Sequence, residues 1–185
     1  LIFKGTKTLT SGEFSRRVAR NGGHENAFTS TDYTGYFQTV ALDRLELVMA
    51  MEADRMTNLV LTEEDVRTER LVILEERRQR TDNDPAAILS EHVNAALFIN
   101  HPYRIPVIGW EHEIRDIDRG SILAFYRQRY APNNAILVVS GDITADRLRP
   151  LAEKYYGAIP AAPTPPRARP QEPPHRAAGS VVLTD

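Results

Sequence analysis

The chain has 185 residues, 42% of them hydrophobic and 26% charged, and a formal net charge of −2. These are the proportions of a globular chain long enough to bury a core, and the near-neutral balance gives no electrostatic footprint for nucleic acid or an anionic membrane. Cysteine is absent, which excludes disulfide frameworks, thiol nucleophiles and Cys-based zinc sites.

No apolar run approaches the length of a membrane-spanning helix. The chain begins at Leu1, with neither Met nor signal peptide, and is expected to be a fragment, so a missing targeting signal carries no weight.

Along the chain, LIFKGTKTL is a short apolar start running into a turn. Thr10-Ser11-Gly12-Glu13 has capping-box spacing and predicts a helix from Phe14 to Arg20, ended by Gly22-Gly23. Residues 25–42, rich in Thr, Tyr, Phe and Val around Ser30-Thr31-Asp32, read as two antiparallel strands. A helix is expected from Asp43 to about Asn58, with Leu45, Val48, Met49, Met51, Ala53 and Met56 on its apolar face. Thr62-Glu63-Glu64-Asp65 is a second cap signature and opens a helix that Asp82-Asn83-Asp84-Pro85 stops. The helix starting there should end near Asn100, and residues 101–116 should form a loop.

Ile122–Tyr130 is expected to be helical, Ala135–Ser140 a short buried strand, and Thr144–Tyr156 a last helix. Seven prolines then fall between 160 and 174 without periodicity, the composition of an extended, semi-rigid linker. GSVVLTD at the C-terminus reads as the first strand of a further unit. The pattern as a whole predicts an α+β domain, a mainly antiparallel sheet with helices packed on one face. The expected organisation is a domain over 1–160, a linker over 161–178 and the start of a following domain over 179–185.

The stretch ERLVILEE, residues 69–76, raises the chemical question. At about 100° per residue, Glu69 and Glu76 share one helix face to within about 20°. Burying Leu71 to Leu74 is worth roughly 6–12 kcal/mol, and a carboxylate on a buried helix is costly without a partner. Spacing alone leaves two readings open: solvated ion pairs with Arg70, Arg77 and Arg78, or a site. Of the five histidines, His24, His92, His101, His112 and His175, none has the helical i, i+3 or i, i+4 spacing of a zinc site. Each reads as a surface or turn residue, and His112 between Glu111 and Glu113 is no stronger. Gly-x-Ser-x-Gly, P-loop and dinucleotide motifs are absent. Asn26-Ala27-Phe28-Thr29 is either ordinary strand sequence with Phe28 in the core or an edge able to accept an extended peptide.

Five blocks, LIFKGT, GGHENAFTSTDYTGY, ERLVILEE, HPYRIPVIG and YRQRYAPNNAILVVSGDI, stand in an order and spacing that resemble the N-terminal domain of pitrilysin/insulinase-type zinc metallopeptidases. The nearest branch contains the mitochondrial processing peptidases and their bacterial relatives, and the likeness covers roughly residues 1–160. It implies the half-barrel-type αβ domain of those enzymes, joined by a linker to a homologous C-terminal domain or partner subunit and acting on peptide substrates.

By the resemblance Glu76 matches the third zinc ligand, Glu69 the upstream supporting carboxylate, and Asn26, Ala27, Phe28 and Thr29 the edge strand that binds the substrate backbone. The family's His-x-x-Glu-His block would lie just before Leu1. Residues 1–185 therefore supply one of the three ligands that catalytic zinc needs, and not the general-base Glu. The chain alone is expected to hold zinc weakly or not at all and to be inactive. The alternative is a non-catalytic homologue serving as a structural or substrate-presenting subunit.

Overall fold

Side-chain caps decide where several of the helices begin. Thr62 and Asp65 form a reciprocal box: the Asp65 N–H donates to Thr62 Oγ1 at 3.0 Å, and the Thr62 N–H donates to Asp65 Oδ2 at 2.9 Å. Asp118 and Ser121 do the same further on, and Asp84 accepts from the Ala86 N–H beside Pro85 in the first turn. In the computed structural model, which describes residues 1–184, the elements in chain order are β1 (Gly5–Thr6), α1 (Glu13–Arg20), β2 (His24–Thr29), β3 (Thr34–Thr39) and α2 (Leu45–Asn58). They continue with β4 (Leu59–Val60), α3 (Glu63–Arg77), α4 (Pro85–Leu97), α5 (Glu111–Asp116), α6 (Arg119–Arg129) and α7 (Ala145–Ala152). A π-type turn extends α3 over Arg78–Asp82 and another extends α7 over Glu153–Gly157. The fold is α+β and helix-rich, with small antiparallel sheets: β1 pairs with β4 in the register Gly5↔Val60 and Thr6↔Leu59, and β2 pairs with β3.

The chain divides into two compact units, the first formed by Leu1–Phe28, Thr34–Val66 and Asp118–Pro165. Its core is Leu9, Phe14, Val18, Val48 and Met51, with Phe3, Val40, Leu45 and Leu47 packed against them. The predicted apolar face of α2 thus does bury Val48, Met49, Met51 and Ala53. Beside this core lies Arg55, 3% exposed. Its guanidinium sits 4.7–4.9 Å from the ring centroids of Phe3, Phe14 and Tyr36 and 2.5 Å from the Glu52 carboxylate. Tyr126 from α6 donates its hydroxyl to the Arg55 carbonyl at 2.7 Å, tying α6 to α2.

The second unit comprises Thr29–Tyr33, Arg67–Ile117 and the stretch from Pro166 onward. Its centre is Arg77, bonded to Glu91 of α4. The proline-rich stretch is tied down here by Glu172, whose carboxylate accepts the backbone N–H groups of Ile99, Asn100 and His101.

Several expectations are corrected. Residues 111–116 are helical rather than loop, since buried Ile114 and the Glu111–Arg115 ion pair stabilise one short turn-and-a-half. Ala135–Ser140 forms no strand: it pairs with no other strand among the described residues, and Ile136 and Val138 are 90% and 80% exposed. An apolar run is buried only if a neighbouring strand and a covering layer exist to receive it.

Leu71 and Val72 of ERLVILEE, expected inside, are 54% and 53% exposed. The box expected at Thr10 is half made: Glu13 accepts from the Thr10 N–H and hydroxyl, but Gly12, in a left-handed conformation, is the cap residue. The helix expected to reach Asn100 stops at Leu97, where Phe98 turns extended. Residues 179–184 form no strand among the described residues, and Asp185, which ends that predicted strand, lies outside them. No described helix is long and apolar enough to cross a membrane.

Candidate functional site

Glu69 and Glu76 both lie on α3, whose N-terminus is set by the Thr62–Asp65 box and whose acidic first turn, Glu63-Glu64-Asp65, suits the helix dipole. Two turns separate the carboxylates, so the helix itself puts them on one side. Glu76 helps line an open, shallow depression on α3 and the turn after it, where Leu71 and Val72 lie among Arg67, Thr68, Glu75, Gln79 and Arg80.

The two adjacent carboxylates at the end of the helix differ in how far they are committed. Glu75 takes hydrogen bonds on both oxygens, from Gln79 at 2.9 Å and Arg78 at 2.5 Å, and these hold its carboxyl below the usual range. Glu76 is 43% exposed, and its ion-pair partner among the described residues is Arg80 at 3.1 Å, itself 76% exposed. An exposed pair of this kind is worth little and opens readily. Glu76 is therefore a carboxylate on an open surface of α3, with its charge lightly engaged.

Arg77, the next residue, points the other way and is buried. Nothing in the sequence distinguishes this arginine from its neighbours Arg78 and Arg80; only its face on the helix does, together with a Glu at position 91 on the following helix.

Asn26, Ala27, Phe28 and Thr29 are the last four residues of the six-residue strand β2. Phe28 is not in the core but 47% exposed. Its ring lies against Gly35 of β3, where an added Cβ would come within 2.4 Å of the ring carbons. The Asn26 side chain accepts its neighbour Ala27's N–H at 2.8 Å. Among the described strands β2 has β3 as its one partner, which leaves its second edge without a strand.

Glutamate oxygen is an ordinary zinc donor, and Glu76, accessible and weakly paired, fits one position of such a site. Among the described residues no three His, Asp or Glu side chains converge into a metal-holding group. His24, His92, His112 and His175 are exposed, and half-buried His101 meets Tyr103 edge-on and lies tilted against Phe98.

Helix-rich α+β architecture with a two-stranded hairpin does not by itself name a function; comparison with known sequences and structures places the chain. Residues 1–110 match the family described as "Insulinase (Peptidase family M16)", and residues 116–185 match "Peptidase M16 inactive domain". The chain belongs to the insulinase-type peptidase family M16.

The zinc protease PqqE of Helicobacter pylori is 36% identical over 177 residues, covering 93% of this chain and 40% of that protein. A probable mitochondrial-processing peptidase subunit beta of Schizosaccharomyces pombe is 29% identical over 159 residues, covering 86% and 35%. The first half of the periplasmic protease PqqL from Escherichia coli superimposes with a TM-score of 0.80 at 25% identity, covering 91% of this chain and 38% of that one. The chain spans about 40% of the length of such curated relatives. Relatives in this family are named zinc proteases.

Proposed function

We propose that residues 1–185 belong to the N-terminal αβ domain of a zinc-dependent endopeptidase that cleaves extended peptides, with Glu76 as a zinc ligand. The observation that carries this reading is the state of Glu76: half-exposed at the end of α3, beside an open surface of mostly polar residues, with Arg80 as its readily displaced ion-pair partner among the described residues. Two histidines and the general-base Glu come, in this reading, from a His-x-x-Glu-His segment outside these residues. The greater length of the relatives leaves room for it. The 185 residues alone are then inactive and bind zinc weakly if at all.

Zinc bound there would polarise the scissile carbonyl and lower the pKa of a bound water. The chain's own residues have separate tasks. Glu76 would be free to leave Arg80 and hold the metal, supplying one negative charge. Glu69, two turns earlier on the same side, tunes the site without ligating it. The open edge of β2 at Asn26–Thr29 pairs with the substrate backbone; main-chain bonding of this kind reads an extended conformation with little side-chain preference. The Ala27 N–H must first leave the Asn26 side chain if it lies on that edge. A homologous C-terminal domain or a partner subunit completes the enclosure around the substrate, in keeping with the likeness to the first half of a longer protease.

The second reading is a non-catalytic partner subunit; the match of residues 116–185 to a domain described as inactive agrees with it, and equally with the zinc protease those residues also resemble. Peptide cleavage separates the two. The full-length product should hydrolyse an unstructured fluorogenic peptide, lose that activity to a chelator and regain it with zinc, and the Glu76→Gln variant should stay inactive throughout. Absence of cleavage in zinc-replete full-length protein would contradict the endopeptidase reading.

A further inference from the structure

Arg77 is the last residue of α3, 6% exposed, and three chain segments converge on its guanidinium. Nη1 and Nη2 donate to the two oxygens of Glu91 on α4, both at 2.8 Å, in a fork-to-fork pair whose carboxylate is itself only 10% exposed. Nη1 also donates to the Gly109 carbonyl at 2.9 Å, and Nε lies 3.3 Å from Asp82 at the end of the π-type turn. The neighbouring Glu76 is about 100° away around the helix. Holding Arg77 inward therefore holds Glu76 outward, and it does so where α3 gives way to the irregular Arg78–Asp82 turn and would otherwise be least constrained.

We infer that Arg77 is a positioning residue: its clamp on Glu91 and Gly109 fixes the direction in which Glu76 presents its carboxylate to zinc. This rests on the reading of Glu76 as a ligand. A buried ion pair adds little net stability by comparison with apolar packing but specifies one geometry. A metal ligand needs its orientation set by groups that do not themselves touch the metal. Lysine cannot replace the arginine, because a single ammonium cannot make the fork to Glu91 and reach Gly109 at once.

The test uses the full-length protein and zinc alone. The dissociation constant is measured by competition with a chromophoric chelator, and the visible spectrum is recorded after cobalt substitution. Arg77→Lys and Glu91→Gln should each weaken zinc binding about 10–100-fold and shift the cobalt bands. Arg115→Gln, which breaks an exposed ion pair in the same unit, should change neither. Glu91→Gln keeps the side-chain shape and decides the comparison if Arg77→Lys does not fold. Unchanged affinity and spectrum in a folded Glu91→Gln variant would overturn the inference while leaving Glu76 a ligand. A wild-type protein that binds no zinc would remove the ligand reading itself, and the inference with it.

Discussion

At the scale of single residues, the two buried arginines do different work. Arg55 spreads its charge over three aromatic rings and one carboxylate inside the first unit, and among the described residues its Nη1 has no hydrogen-bond partner. Ring faces attract a desolvated guanidinium, but Glu52 supplies the compensating charge. Glu52→Ala should therefore destabilise the chain by about 3–5 kcal/mol in urea unfolding, the cost of leaving a buried charge unpaired. A loss below 1 kcal/mol would mean that the rings suffice.

Glu13 offers a pH test. The Thr10 N–H foremost, with Arg17 and the Thr10 hydroxyl, lowers its pKa to about 2. A carboxylate depressed in the folded state stabilises above its unfolded pKa, near 4.3, and ceases to do so as pH falls through the folded value. Its contribution to the start of α1 should persist to pH 4.5 and fade between there and about 2. Carboxyl NMR titration of Glu13 checks this, and a midpoint near 4.3 would contradict it.

At the scale of elements, α2 and α3 show what periodicity and caps can settle. Thr62 and Asp65 form the box that their spacing predicts, and Val48, Met49 and Met51 enter the core that their spacing predicts. Phe14→Ala, which empties the centre of that core, should cost about 3–5 kcal/mol, read as a shift in the urea midpoint. Ala135–Ser140 was legible as a strand by composition and yet forms none. Strand formation depends on a partner, and local sequence says nothing about whether one is present.

The same limit applies to Leu71 and Val72: apolar character predicts a wish for burial, not the surface that meets it. In the 185-residue chain the amides of 136–140 should exchange with solvent within seconds to minutes, far faster than those of mid-α2. Equal protection would show that the segment has found a partner. Arg77 was the least legible feature of the candidate site, because its meaning comes from Glu91, fourteen residues away across a turn.

At the scale of the whole molecule, family M16 membership accounts for the order of the five sequence blocks, and the chain spans about 40% of the length of a relative named a zinc protease. The proline-rich tract is more than a tether: Glu172 fastens it within the second unit by three backbone N–H groups. Glu172→Ala should make the tract from Pro166 onward cleave faster in limited proteolysis, and an unchanged cleavage rate would show that the proline backbone alone protects it.

If Glu76 is a zinc ligand, metal content must depend on it. Zinc stoichiometry is measured on the full-length protein beside its Glu76→Gln variant. About one zinc per chain in the first, lost or greatly weakened in the second, is the result predicted. Zinc retained undiminished by Glu76→Gln, or absent from both proteins, would contradict that role.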